Sequence, residues 1–278
     1  MIENTSDYEI VIRPKYGLLD LNWKELKENY ELLYFLALRE IKIRYKQTAM
    51  GASWAVLQPL LTMIIFAFFF GGVAKIPSEG IPYALFSYSG LLLWTYFQNA
   101  VTNSGNSLVN NAQLLSKVYL PRIFIPTAPC LACTVDYVIA FAIIVVMMVY
   151  YHFTPTVAIF LLPFILLLTI LLAAGTGYWL SSICVKYRDI KFALPFFIQL
   201  LMFVSPVIYP TNILGENLKW LLFLNPLTGL INAHRAILLG YTPVDYVSLS
   251  ISAVITIAIF FSGILYLSQT EKYFADLV

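Results

Sequence analysis

Charge is scarce in this chain. Only 12% of its 278 residues are Asp, Glu, Lys or Arg, where a soluble protein carries roughly 25%. That leaves too little polar surface to cover a soluble fold. Cysteine is also scarce: three residues are too few for a disulfide framework. The two histidines, His152 and His234, lie far apart and lack H-E-x-x-H spacing. There is no G-x-x-x-x-G-K-[ST] loop to cradle a phosphate and no serine-nucleophile signature. These absences exclude a self-contained ATPase, a zincin and a serine hydrolase. The first 20 residues are polar and contain no apolar core, which predicts that no signal peptide is cleaved and that the first span targets itself. A net charge of +2 is too small to argue for a nucleic-acid partner.

What the chain has instead is apolar length. Sixty per cent of it is hydrophobic, and mean hydropathy is +0.79. Runs of about 20 apolar residues are long enough to cross a bilayer. Six are expected: Ser53–Val73, Tyr83–Leu108, Ile123–Tyr151, Val157–Val185, Phe192–Ile208 and Val247–Leu267. The runs are continuous, not alternating, so the expected fold is all-α, because a lipid-embedded backbone must satisfy its own polar groups. Residues 1–48 read as a cytoplasmic arm and 49–278 as one transmembrane domain. Fourteen of the 17 Lys and Arg residues fall on one side of this six-span arrangement, leaving Lys75, Lys219 and Arg235 on the other. Positive residues stay inside, so both termini are expected in the cytoplasm of an inner-membrane, multi-pass protein. Leu218–Leu239 is long enough to span, but Asn225-Pro226 breaks it and Asn232, His234 and Arg235 load its second half. It is expected to form two short re-entrant helices between spans 5 and 6.

Several patterns inside this frame bear on function. In the arm, Trp23, Leu26, Tyr30, Leu33 and Ala37 recur at helical spacing between charged residues, and Asn22 with Glu25 resembles a capping box. This predicts an amphipathic helix at the interface with membrane lipid, either a surface anchor or a lever touching a partner. Asn99, Asn103, Asn106 and Asn110 form a polar stripe, which suits interhelical hydrogen bonding or a polar face toward a path. Asp136 is the one carboxylate deep in a span; it is either a functional acid or is bonded to neighbouring Ser, Thr or Tyr. Cys130 and Cys133, within a span and without a second pair, read as packing residues. Phe66, Phe68, Phe69 and Phe70 in the first span, and Phe196, Phe197, Phe203 and Tyr209 in or near the fifth, pack or face lipid. Facing a shared passage, their rings would contact the apolar faces of sugars. Two short loops, Asn111–Arg122 and Lys186–Lys191, mix basic, aromatic and apolar residues.

The segments Leu38–Thr48 with Gly51, Trp54 and Gln58-Pro59, then Asn110–Arg122, Lys186–Asp189, Ser205–Pro210 and Asn225-Pro226-Leu227, follow each other in an order that is familiar. Together they resemble the permease subunit of type-2 ABC polysaccharide exporters, most closely the O-antigen and teichoic-acid branch. The resemblance runs from about Pro14 to the last span. It implies a homodimer of permeases with two copies of a separate ABC ATPase that binds ATP and Mg, no cofactor on this chain, and a lipid-linked glycan as substrate. It further implies that Ser116, Lys117, Tyr119, Pro121 and Arg122, with Lys186, Tyr187, Arg188 and Asp189, form the elements that couple to the ATPase. The interface helix would carry Trp23, Leu26, Tyr30 and Leu33. Phe66, Phe69, Phe70, Phe196, Phe197, Phe203 and Tyr209 become candidates for the passage wall. Other readings compete with this one: a permease for drugs or small lipids, a proton-coupled carrier using Asp136, and a membrane glycosyltransferase or phosphatase. The last needs a carboxylate or His cluster at the membrane face, and the sequence has none in view.

Overall fold

A computed structural model describes residues 23–46, 51, 53–117, 120–155, 157–187, 189–213 and 215–270, without the side chains of 23–25, 116 and 216–219. Tyr119 and Arg188 lie outside the described residues, as do the side chains of Trp23 and Ser116. Every regular element among the described residues is helical. In order they are α1 (Trp23–Glu28), α2 (Tyr30–Lys46), α3 (Ser53–Phe66), a π-helical turn (Ala67–Val73), α4 (Tyr83–Asn110), α5 (Ala112–Lys117) and α6 (Phe124–Tyr150). A 3-10 turn (Val157–Leu161) leads into α7 (Leu162–Lys186), followed by α8 (Ile190–Val204), a second 3-10 turn (Thr211–Ile213), α9 (Glu216–Phe223), α10 (Pro226–Leu239) and α11 (Tyr246–Thr270).

Among the described residues, four helical segments are long and apolar enough to cross a membrane: Ser53–Val73, Phe124–Tyr150, Val157–Lys186 and Tyr246–Thr270. The chain is therefore a multi-pass membrane protein. The other two expected spans differ for physical reasons. α4 is 28 residues long, about 42 Å at 1.5 Å per residue, but its Asn, Ser and Thr residues lower its hydropathy. α8 covers only 15 residues. It stops at Val204, because Pro206 and Pro210 follow and the chain from Ser205 to Pro210 leaves the helix.

α4 is the centre of the fold, packing against α3, α6, α7, α8 and α10. Its middle turns, from Leu85 to Phe97, are nearly all buried, and Trp94 is among the largest fully buried side chains. Its hydroxyls stitch it to α6: Tyr88 donates to the Ala140 carbonyl at 3.0 Å, Tyr96 to the Cys130 carbonyl at 3.2 Å, and Ser104 to the Pro126 carbonyl at 2.7 Å. Each such bond contributes about 0.6 kcal/mol in a membrane setting. α7 and α11 approach closely because small residues face each other. A Cβ on Gly175 would stand 2.6 Å from the Cα of Phe260, and one on Gly263 would run into the Gly175 carbonyl oxygen.

α10 is framed by local signals. Asn225 caps it by accepting from the Leu227 amide at 3.1 Å, Pro226 occupies its first turn, and Gly240 closes it at φ 61°. Twelve of its 14 residues are buried. His234 bonds the Tyr137 hydroxyl at 2.8 Å and the Ser89 carbonyl at 3.0 Å. The Arg235 guanidinium lies 3.7 Å from the Phe86 ring centroid and donates to the carbonyls of Pro206 and Val207. Buried polar groups need protein partners, and here α4, α6 and the loop after α8 supply them.

Candidate functional site

The resemblance-derived residues fall into three places. At the end of the molecule where α4 finishes, α2 and both mixed loops gather. Arg39 of α2 donates to Asn111 Oδ1 at 2.6 Å, and Lys191 at the start of α8 donates to Asn110 Oδ1 at 3.2 Å. One loop contains α5, with Lys117 exposed, Leu120 buried, and Pro121 and Arg122 half-buried. In the other, Lys186 and Tyr187 are exposed, with the Lys186 ammonium 5.2 Å from the Tyr187 ring, and Asp189 is exposed ahead of α8. The two loops thus present basic and aromatic side chains together at one end. A groove of about 410 Å³ beside them is lined by Phe35, Leu38, Arg39, Lys42, Ile43 and Lys46.

The arm helix breaks at Asn29 into α1 and α2, and α2 runs to Lys46, beyond the Asn22–Arg39 segment read from the sequence. Leu26 and Leu33 are half-buried and Ala37 is buried, whereas Tyr30 is 64% exposed and is joined on the open face by Tyr34 and Phe35. The inner edge of α2 packs on α6.

The aromatic candidates divide by exposure. Phe66 is buried and meets the half-buried Phe70 edge-on at 5.4 Å, while Phe69 and its neighbour Phe68 point outward from the π-helical turn. On α8, Phe196, Phe197 and Phe203 are all more than half exposed, and only Leu194 and Ile198 are buried. Tyr209 is half-buried, and its hydroxyl donates to the Phe203 carbonyl at 3.0 Å. The open faces of α3 and α8 belong to helices that both pack on α4.

A further cluster was only half legible in the sequence. Asp136 on α6 accepts hydrogen bonds from both Arg44 and Tyr45 at the end of α2, and pairs with Arg44 as a salt bridge. Tyr is thus one partner, as expected, but the Arg44 partner comes from the arm. Burial, and then the bond to Asp136, hold the Tyr45 phenol above its ordinary range, so it stays a neutral donor. These residues line a cavity of about 470 Å³ together with Gly51, Trp54, Ala55, Gln58, Asn99 and Asn103. The asparagine stripe therefore splits. Asn99 and Asn103 face the cavity, Asn106 bonds the Thr102 carbonyl of its own helix, and Asn110 reaches Lys191. Cys130 and Cys133 are free and buried. No cluster of metal-binding side chains occurs among the described residues.

Comparison with known proteins matches this architecture. An O-antigen export system permease protein, RfbA, from Klebsiella pneumoniae is 27% identical over 250 residues, covering 90% of this chain and 95% of the relative. The RfbA permease of Myxococcus xanthus is 27% identical over 256 residues, 91% of this chain and 97% of its own. The polysialic acid transport protein KpsM of Escherichia coli is 25% identical over 242 residues, 85% of this chain and 92% of its own. The profile of the ABC-2 type transporter family matches residues 31–239, which spans the arm helix, the central helices and α10, and the chain belongs to that family.

Proposed function

We propose that this chain is the permease subunit of an ATP-driven exporter that moves a lipid-linked cell-surface polysaccharide across the inner membrane. The observation that carries the reading is the pairing of long, near-complete similarity to O-antigen and polysialic acid permeases with outward aromatic side chains on the π-helical turn after α3 and on α8. Two copies would place these faces opposite each other and line a passage with Phe69, Phe196, Phe197 and Phe203. Six helices would cross the membrane, including α4 and α8. α9 and α10 would dip in from the outer side and return, leaving both termini in the cytoplasm.

Energy would come from two copies of a separate ATPase holding ATP and Mg, since this sequence has no phosphate loop. The basic end formed by α5, Lys117–Arg122 and Lys186–Asp189 would receive the push. Its ties to α2 and α8 through Arg39 and Lys191 would pass the movement to the arm and to the wall helix as rigid units. Aromatic walls suit a glycan because rings stack on apolar sugar faces without fixing one sequence of sugars. Deleting the gene in its host tests the reading. The lipid-linked glycan should accumulate inside the inner membrane and vanish from the cell surface. Normal surface glycan in the deletion strain would reject it.

A further inference from the structure

The cavity between the end of α2 and helices α3, α4 and α6 has the chemistry of a binding site. Its volume, about 470 Å³, lies within the range of about 300–1,000 Å³ typical of small-molecule sites. One wall is Trp54, 56% exposed. The amides of Gln58, Asn99 and Asn103 share the cavity. Among the described residues, the side chains of Gln58 and Asn99 make no hydrogen bond, and Asn103 reaches only the weak acceptor Cys133 Sγ at 3.9 Å. These are donors and acceptors without strong partners beside an open aromatic ring. A narrow extension shares Ala55, Gln58, Asn99 and Asp136 and penetrates toward Tyr96 and Tyr137.

Charge decides what such a site holds. Among the described lining residues, the one cation, Arg44, is already paired with the one carboxylate, Asp136, so they bring no net charge to the cavity. A phosphate entering it would meet the Asp136 oxygens at close range. Three cations, Arg39, Lys42 and Lys46, line a separate groove on α2, with Arg39 paired to Glu40 at 2.8 Å. An aromatic face, open amides and a neutral ion pair are instead the complement of an uncharged sugar ring: apolar C–H faces stack on the indole, and hydroxyls bond amides and carboxylate. The cavity also sits where loading would occur. Asn103 is about 10 Å from the end of α4 at which the basic loops gather.

We infer that this cavity docks an uncharged sugar residue of the glycan as it is loaded from the cytoplasmic side, with Trp54 as the stacking platform and Gln58, Asn99 and Asn103 as hydroxyl readers. The inference rests on the proposed export function and adds to it a specific loading site.

The test uses the full-length permease with its ATPase in proteoliposomes and lipid-linked glycan extracted from host membranes. Two soluble competitors are added in separate arms: the same glycan freed of lipid and phosphate by mild acid, and inorganic pyrophosphate. The freed glycan should inhibit transport by the wild-type complex, and pyrophosphate should not. Trp54→Ala and Asn99→Ala should each raise the glycan concentration for half-maximal transport about tenfold, while Trp54→Phe stays within about twofold. Wild-type transport that pyrophosphate inhibits and freed glycan does not would overturn the site while leaving the export function standing. So would alanine variants with wild-type half-saturation. A wild-type complex that moves no glycan would reject the export function, and the site with it.

Discussion

Helices α8 and α10 are nearly the same length, 15 and 14 residues, but α8 is the more apolar of the two. α10 buries twelve residues against α4, α7 and α11; α8 buries two and leaves four phenylalanines open. Polar content separates them. α10 carries His234 and Arg235, which must find protein partners at depth, and it is drawn into the fold by Ser89, Tyr137, Pro206 and Val207. α8 makes no such demand. Its rings are as stable against lipid or a second copy as against its own chain, so it is free to serve as a wall.

The contrast can be broken by mutation. Arg235→Ala should have the largest effect, a loss of about 4 kcal/mol, because it strips the donor from two buried carbonyls and the cation from the Phe86 face. Thermal unfolding in detergent would read this, and a variant as stable as wild type would show that α10 is not anchored through this residue. Gly175→Val should cost about 3 kcal/mol in the same assay, since its side chain would meet the α11 backbone at Phe260. Asp136→Asn should cost about 2 kcal/mol, leaving Arg44 half-buried without its counter-charge. Export that survives this change and still needs ATP would remove the proton-carrier reading as well. Replacing Phe196 and Phe197 together by Ala should shift unfolding by only about 0.5 kcal/mol, yet lower glycan transport about tenfold. Stability lost along with transport would mean that α8 belongs to the core after all.

Much of this arrangement was legible in the sequence, and the reasons differ by element. Ser53–Val73 has the bounds expected from its apolar run, because nothing but length and hydropathy decides it. The break at Asn225-Pro226 was legible because a cap and a proline act locally. The fifth span was not read correctly at its end: the helix stops at Val204, ahead of two prolines spaced through an apolar run. The Asp136 partnership was only half legible. A tyrosine partner is a fair expectation for a buried carboxylate, but nothing in spacing says that Arg44, more than 90 residues earlier, folds back to meet it. Likewise, helical spacing groups the four asparagines on one stripe, while the neighbours each one meets are set by how α4 sits against α2, α6 and α8.

In the proposed exporter, a separate ATPase drives glycan through a passage built from this chain. Reconstituted permease and ATPase, supplied with fluorescent lipid-linked glycan on the ATP-accessible side, test it most directly. The account predicts that glycan appears on the far side only with hydrolysable ATP, and that Phe196→Ala with Phe197→Ala slows this appearance. Transfer that proceeds equally without ATP, or ATP hydrolysis that leaves the glycan on its original side, would contradict it.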